Sequence, residues 1–190
     1  MKSFKIAVIS DTHVPDRTPD LSQQFLADLR KEKVDMILHA GDICIQRVID
    51  VLGQIAPLKA VRGNRDLLLF RNIPLIQEFD VYGVKFALMH GHISFITYWL
   101  DKLSHIFKGY QLSRYINRIE KTAPGADVYV FGHTHHAENF KKDGVYFFNP
   151  GSITYGDVLT RTRSWGIIEV SEDGQVDCRI IPFIEDDRHV

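Results

Sequence analysis

Five short apolar runs in this chain each stop at a small cluster of Gly, Asp, Asn or His. Ala7-Val8-Ile9-Ser10 runs into Asp11-Thr12-His13, Ile37-Leu38-His39-Ala40 into Gly41-Asp42, and Ala60-Val61-Arg62 into Gly63-Asn64-Arg65-Asp66. Phe86-Ala87-Leu88-Met89 runs into His90-Gly91-His92, and Val128-Tyr129-Val130-Phe131 into Gly132-His133-Thr134-His135. Short runs rich in Ile and Val read as buried strands. Ligands of open α/β sheets bind beyond the carboxyl ends of the strands. Five such ends would carry these polar groups to one place.

The groups that would meet there are two Asp, one Asn and at least four His. Burying that many carboxylates and imidazoles without a shared cation is costly. The donor set is nitrogen and oxygen with no thiolate, which argues against iron–sulfur clusters and Cys-based structural zinc. So many imidazoles argue against Ca²⁺ and Mg²⁺, which prefer oxygen. Mn²⁺, Fe²⁺, Co²⁺, Ni²⁺ and Zn²⁺ all fit. The set exceeds what one tetrahedral ion needs, so a pair of divalent ions is expected, with Mn²⁺ first among the choices. Glycine beside most of the clusters lets the backbone turn sharply and approach the site.

The remaining chain frames a mixed α and β fold. Leu21–Lys33 and Gln46–Ile55 read as helices alternating with strands. Leu75–Met89 reads as two strands turning at Tyr82-Gly83, Glu138–Phe148 as a hairpin turning at Lys142-Asp143-Gly144, and Trp165–Ile181 as a hairpin around Glu172-Asp173-Gly174. The expected architecture is two β-sheets packed as a sandwich and flanked by helices. With 190 residues, no repeats and no long linker, residues 1–190 are expected to be one domain. Net charge is −1, so bulk charge points to neither nucleic acid nor an acidic membrane. Cys44 and Cys178 are too few for a disulfide framework and read as small buried hydrophobes, with Cys44 close enough to Asp42 to lie near the site. The first residues lack a signal-peptide pattern and no stretch is long and apolar enough to span a bilayer, so a cytoplasmic location is expected.

Asp11-Thr12-His13, Gly41-Asp42, Gly63-Asn64-Arg65-Asp66, His90 and Gly132-His133-Thr134-His135, in this order, resemble the signature of the calcineurin-like metallophosphoesterase superfamily. The short length, His90-Gly91-His92 and Asn149-Pro150-Gly151-Ser152 are most similar to its small prokaryotic phosphodiesterase branch, which also contains a retromer subunit. The resemblance implies that Asp11, His13 and His135 hold one metal, that Asn64, His90 and His133 hold the other, and that Asp42 bridges both. It implies hydrolysis of a small phosphate ester, with a diester favoured. Two cations roughly 3.5–4 Å apart can generate hydroxide and clamp the phosphate oxygens for in-line attack.

Arg65 departs from the pattern, since the superfamily often has His there, a residue assigned to leaving-group protonation or phosphate contact. Arginine is too basic to act as an acid but binds phosphate oxygens bidentately. Asn64, Arg65 and His92 are therefore the candidate catalytic residues, with His92 either a proton donor or a brace for a ligand. Asn149-Pro150-Gly151-Ser152 is either a plain turn or a lining of backbone N–H groups. Ser94–Thr122 is rich in aromatics at helical spacing and reads as two amphipathic helices. Three roles are open to it: packing on the body or a homo-oligomer face, a lid over the site, or membrane-surface docking. Arg65 together with this insertion is also similar to the lipid A pathway enzyme that cleaves UDP-diacylglucosamine, so a lipid-linked or nucleotide-diphosphate substrate is one alternative. A non-catalytic scaffold, as in the retromer relative, is another.

Overall fold

A computed structural model describes residues 2–66, 72–91, 112–157 and 160–184. In chain order the elements are β1 (Ser3–Ile9), α1 (Gln23–Lys31), β2 (Met36–His39), α2 (Gln46–Gly53), β3 (Leu58–Ala60), β4 (Ile76–Val81), β5 (Val84–Met89), α3 (Leu112–Thr122), β6 (Val128–Val130), β7 (Ala137–Lys142), β8 (Val145–Pro150), β9 (Arg163–Ser171) and β10 (Val176–Phe183). They form two mixed five-stranded sheets, ordered β10-β9-β1-β2-β3 and β4-β5-β6-β8-β7.

The pleat of β1 shows why the chain must build several layers. Successive side chains point to opposite faces of a strand, and four consecutive residues of β1 are apolar and buried. Ile6 and Val8 enter the core between the sheets, with Leu38, Leu88, Val130, Phe148 and Ile168. Ala7 and Ile9 face the other way, into a second core beneath α1 and α2 that includes Phe25, Leu29, Val48, Leu52 and Trp165. Phe25 meets Trp165 and Phe183 edge-on, with ring centroids 5.7 and 6.0 Å away. Its replacement by Ala would cost about 3–5 kcal/mol. The outer face of the second sheet is covered by Tyr115, Ile116 and Ile119 of α3 on Met89, Tyr129 and Phe131.

Two of the expected turns are two-residue hairpin loops. Val81 pairs with Val84 across Tyr82-Gly83, and Lys142 with Val145 across Asp143-Gly144. Both central residues have positive φ in each case, the backbone that matches the twist of the flanking strands. Of the two helices expected over 94–122, the second is α3, and it packs on the domain body. The first lies outside the described residues.

The strand directions decide where the site sits. β1, β2 and β3 run parallel, and so do β5, β6 and β8. The two parallel cores release their carboxyl ends, and with them all the polar clusters, at one edge of the sandwich.

Candidate metal centre

The loops leaving these strands turn sharply. Asp11, His13, Asp42, His133 and His135 all have left-handed backbone, with φ between 48° and 72°. Asp and His tolerate that region better than most residues, but it still costs energy. Concentrated strain of this kind marks sites over-determined by their surroundings. The neighbouring glycines are there for space. A Cβ on Gly63 would lie 2.1 Å from Asp42 Oδ1, and one on Gly132 would lie 2.0 Å from Ser10 Oγ.

The side chains converge in two groups that share one carboxylate. In the first, His13 Nε2 lies 3.2 Å from His135 Nε2. Asp11 Oδ1 lies 3.2 Å from His135 Nε2 and 3.7 Å from His13 Nε2. In the second, Asn64 Oδ1 lies 2.9 Å from His133 Nδ1 and 3.1 Å from His90 Nε2. Asp42 stands between them: Oδ2 is 3.7 Å from His13 Nε2, and Oδ1 is 3.5 Å from His90 Nε2. The structure therefore brings together Asp11, His13, Asp42, Asn64, His90, His133 and His135. Asp11 Oδ1 is buried without a hydrogen-bond partner, although imidazole nitrogens surround it. A carboxylate oxygen so placed is suited to a cation, and the all-N/O donor set fits the harder transition metals and zinc.

A set of braces holds this cage. Asp66 is fully buried, and its carboxylate accepts the backbone N–H groups of Gly63 (2.8 Å), Cys44 (2.8 Å) and Ile43 (2.9 Å). It thus locks the loop carrying Asn64 to the loop carrying Asp42. Ser10 Oγ donates to Asp11 Oδ2 at 2.6 Å, and the His133 N–H donates to the same oxygen at 3.0 Å. Ser152 Oγ donates to the Asp11 carbonyl at 2.8 Å, and Thr154 Oγ1 donates to the Thr12 carbonyl at 2.8 Å. Asn149 Nδ2 reaches Thr134 Oγ1 at 2.9 Å, while its Oδ1 accepts the Gly151 N–H. Asn149-Pro150-Gly151-Ser152 thus serves the site through side chains that tie loops together, and the Gly151 N–H is spent within the turn. The bracing roles of Asp66, Ser152 and Thr154 had no counterpart in the sequence reading.

The electrostatics are those of a cage built for positive charge. Burial alone would raise the Asp11 carboxyl, but His135, His13 and His90 outweigh it and hold the group well below the usual carboxylate range. For Asp42 burial dominates and pushes the carboxyl up. Burial opposes protonation of His90, yet Asp42 and Asp11 outweigh it and push the imidazole up. His39 is different: burial depresses it to about 4, and Gly41 N–H donates to its Nδ1 at 3.2 Å, so it is a neutral acceptor.

Residues 4–173 match the calcineurin-like phosphoesterase superfamily domain. The chain belongs to that superfamily. A probable metallophosphoesterase of Methanothermobacter thermautotrophicus is 31% identical over 177 residues, covering 93% of this chain and 91% of that protein. Vacuolar protein sorting-associated protein 29 of Schizosaccharomyces pombe is 29% identical over 150 residues, covering 78% and 72%. Among solved structures, the Entamoeba histolytica vacuolar protein sorting 29 in complex with Zn²⁺ superposes with a TM-score of 0.70 at 25% identity, over 94% of this chain and 98% of that one.

Within this superfamily chain, Arg65 has two separate engagements. Its backbone N–H donates to Asp42 Oδ1 at 2.9 Å, whereas its guanidinium lies at the exposed rim, 3.0 Å from Asp16 Oδ2. His92 lies outside the described residues. Cys44 is buried as expected, and with His13 and Asp16 it forms another grouping of potential donors. Burial and the nearby Asp66, Asp42 and Asp16 push its thiol up to about 12, so it stays protonated and is a poor ligand at neutral pH. Cys178 is only half-buried, and burial likewise pushes its thiol up to about 12. Among the described residues no helix is long and apolar enough to cross a membrane.

Proposed function

We propose that this chain is a metal-dependent phosphoesterase that acts on small phosphate diesters in the cytoplasm, with two divalent cations, Mn²⁺ foremost. The observation that carries the reading is Asp42, whose two carboxylate oxygens face two separate imidazole groups. On this reading Asp11, His13 and His135 hold one ion, Asn64, His90 and His133 the other, and Asp42 both. Such a pair supplies an activated water and neutralises charge on the phosphate oxygens.

The chain's own residues do the positioning. Asp66 keeps Asn64 and Asp42 in register through its three backbone hydrogen bonds. The Arg65 guanidinium exchanges its exposed contact with Asp16 for the phosphate, since a carboxylate and a phosphate each present a pair of oxygens to the guanidinium fork. Arginine cannot give a proton to the leaving alcohol, so esters of acidic alcohols are preferred substrates.

Chelator-stripped protein tests this with bis-p-nitrophenyl phosphate and p-nitrophenyl phosphate, adding Mn²⁺, Zn²⁺, Ni²⁺, Co²⁺ or Mg²⁺ in turn. Turnover restored by metal, faster on the diester, and abolished in Asp42→Ala is the expected result. Tight metal binding without turnover on any ester would favour the second reading, a metal-containing scaffold. The likeness to vacuolar protein sorting-associated protein 29 and the Arg65 departure support that reading.

A further inference from the structure

Beside His135 lies a group that no step above uses. The Tyr155 ring meets the His135 imidazole edge-on, with centroids 5.2 Å apart. The Arg17 guanidinium lies 4.9 Å from the Tyr155 ring centroid and that of Arg161 lies 5.5 Å from it. Both arginines are exposed. The nearby acids are already engaged: Asp16 with Arg65, and Asp157 with His136 at 2.7 Å. The Arg161 guanidinium beside the phenol lowers the Tyr155 hydroxyl from its usual range.

The backbone fixes this group to the metal centre. The Arg17 N–H donates to the His13 carbonyl at 2.9 Å. The Tyr155 N–H donates to Ser152 Oγ at 3.0 Å, and that hydroxyl in turn holds the Asp11 carbonyl. Arg161 has left-handed backbone, φ 61°, and its carbonyl would lie 2.6 Å from a Cβ on Gly156, so only glycine lets the loop close there. Two guanidiniums close to one aromatic ring, held next to a candidate ligand at some conformational cost, form a built cationic platform.

We propose that Arg17, Tyr155 and Arg161 form a subsite for a second phosphate group, so that the preferred substrates are phosphodiesters carrying a phosphate monoester remote from the reacting phosphorus. This rests on the phosphoesterase reading. The fork of a guanidinium matches phosphate oxygens bidentately, and a pair of them discriminates by charge as well as geometry. Held there, the phosphate would lie on the His135 side and orient the ester toward the candidate ligands.

Two matched chromogenic esters test this: thymidine 5′-(p-nitrophenyl phosphate) and the same compound with a 3′-phosphate. With the Mn²⁺-loaded protein, KM for the 3′-phosphorylated ester is expected to be lower by about tenfold, with kcat little changed. Arg17→Gln and Arg161→Gln should each erase most of that preference without altering kinetics on the unphosphorylated ester. Arg161→Lys should restore part of it. Equal KM for the two esters in the unmodified chain, or a kcat loss on both esters alike in the variants, would overturn the subsite. Should neither ester be hydrolysed, the phosphoesterase reading fails separately. Calorimetric titration of the loaded protein with thymidine 3′,5′-bisphosphate and thymidine 5′-phosphate then decides the subsite. Preference for the bisphosphate that disappears in Arg17→Gln supports it, and equal affinities refute it.

Discussion

His90 Nδ1 lies 2.6 Å from the carbonyl oxygen of Ala40. A carbonyl only accepts, so Nδ1 carries the proton, and in the neutral ring Nε2 is the base that faces Asn64 and Asp42. Fixing a ligand's tautomer through its other nitrogen raises its basicity toward metal. His90→Gln removes both the nitrogen donor and the brace. Affinity for one of the two ions should fall by about 100-fold or more, with the other little changed. Competition against a chromophoric chelator reads this; unchanged affinity for both ions would remove His90 from the cage.

Asp66 is expected to matter for stability and for turnover without touching a metal. In Asp66→Asn the amide can accept backbone N–H groups on one atom only, and its NH₂ would oppose the others. Loss of charged hydrogen bonds to buried N–H groups should cost about 2–3 kcal/mol in urea unfolding of the metal-free protein. Metal-restored turnover should fall at the same time. A fully stable and active variant would show that the loops hold their register by other means.

The neutral state of His39 predicts an acid-side loss of stability. Its folded-state value of about 4 lies below the ordinary 6.5, so the unfolded chain takes up the proton first as pH falls. The contribution is complete above pH 6.5 and is lost progressively toward pH 4. The full drop corresponds to roughly 3 kcal/mol. His39→Asn keeps an acceptor for the Gly41 N–H and does not titrate. Its unfolding free energy in chelator should therefore decline less between pH 7 and 5 than that of the unmodified chain. Parallel declines would contradict a buried neutral His39.

Metal removal should soften the fold. An ion that binds only the folded cage stabilises it by about 2.7 kcal/mol at a hundredfold excess over Kd. For a chain of this size that amounts to roughly 5–10 °C in Tm. Scanning calorimetry with and without chelator measures it, and identical Tm values would mean the cage does not bind the ion offered.

The strands and the residues at their ends were legible because each signal is local: an apolar run, then a Gly, Asp, Asn or His. Asp11, Asp42 and His133 could be placed together on that basis, and the parallel strands explain why they meet. The bracing of Asp11 was not legible. Ser152 reaches it from 141 residues away, and nothing near Ser152 distinguishes it from a turn serine. The inward turn of Asp66 depends on three N–H groups left over when two tertiary loops meet. The left-handed backbone at His13 and His135 is likewise imposed by the surrounding packing, since neither residue's local sequence demands it. Arg17, Tyr155 and Arg161 join across two distant loops, and no spacing rule links them.

The most direct test of the central claim is anomalous diffraction from crystals soaked in Mn²⁺, collected on both sides of the manganese edge. The account expects two peaks about 3.5–4 Å apart, one on each oxygen of Asp42. One should lie among Asp11, His13 and His135, and the other among Asn64, His90 and His133. A single peak, or a peak away from Asp42 with the cage intact, would contradict the two-metal centre.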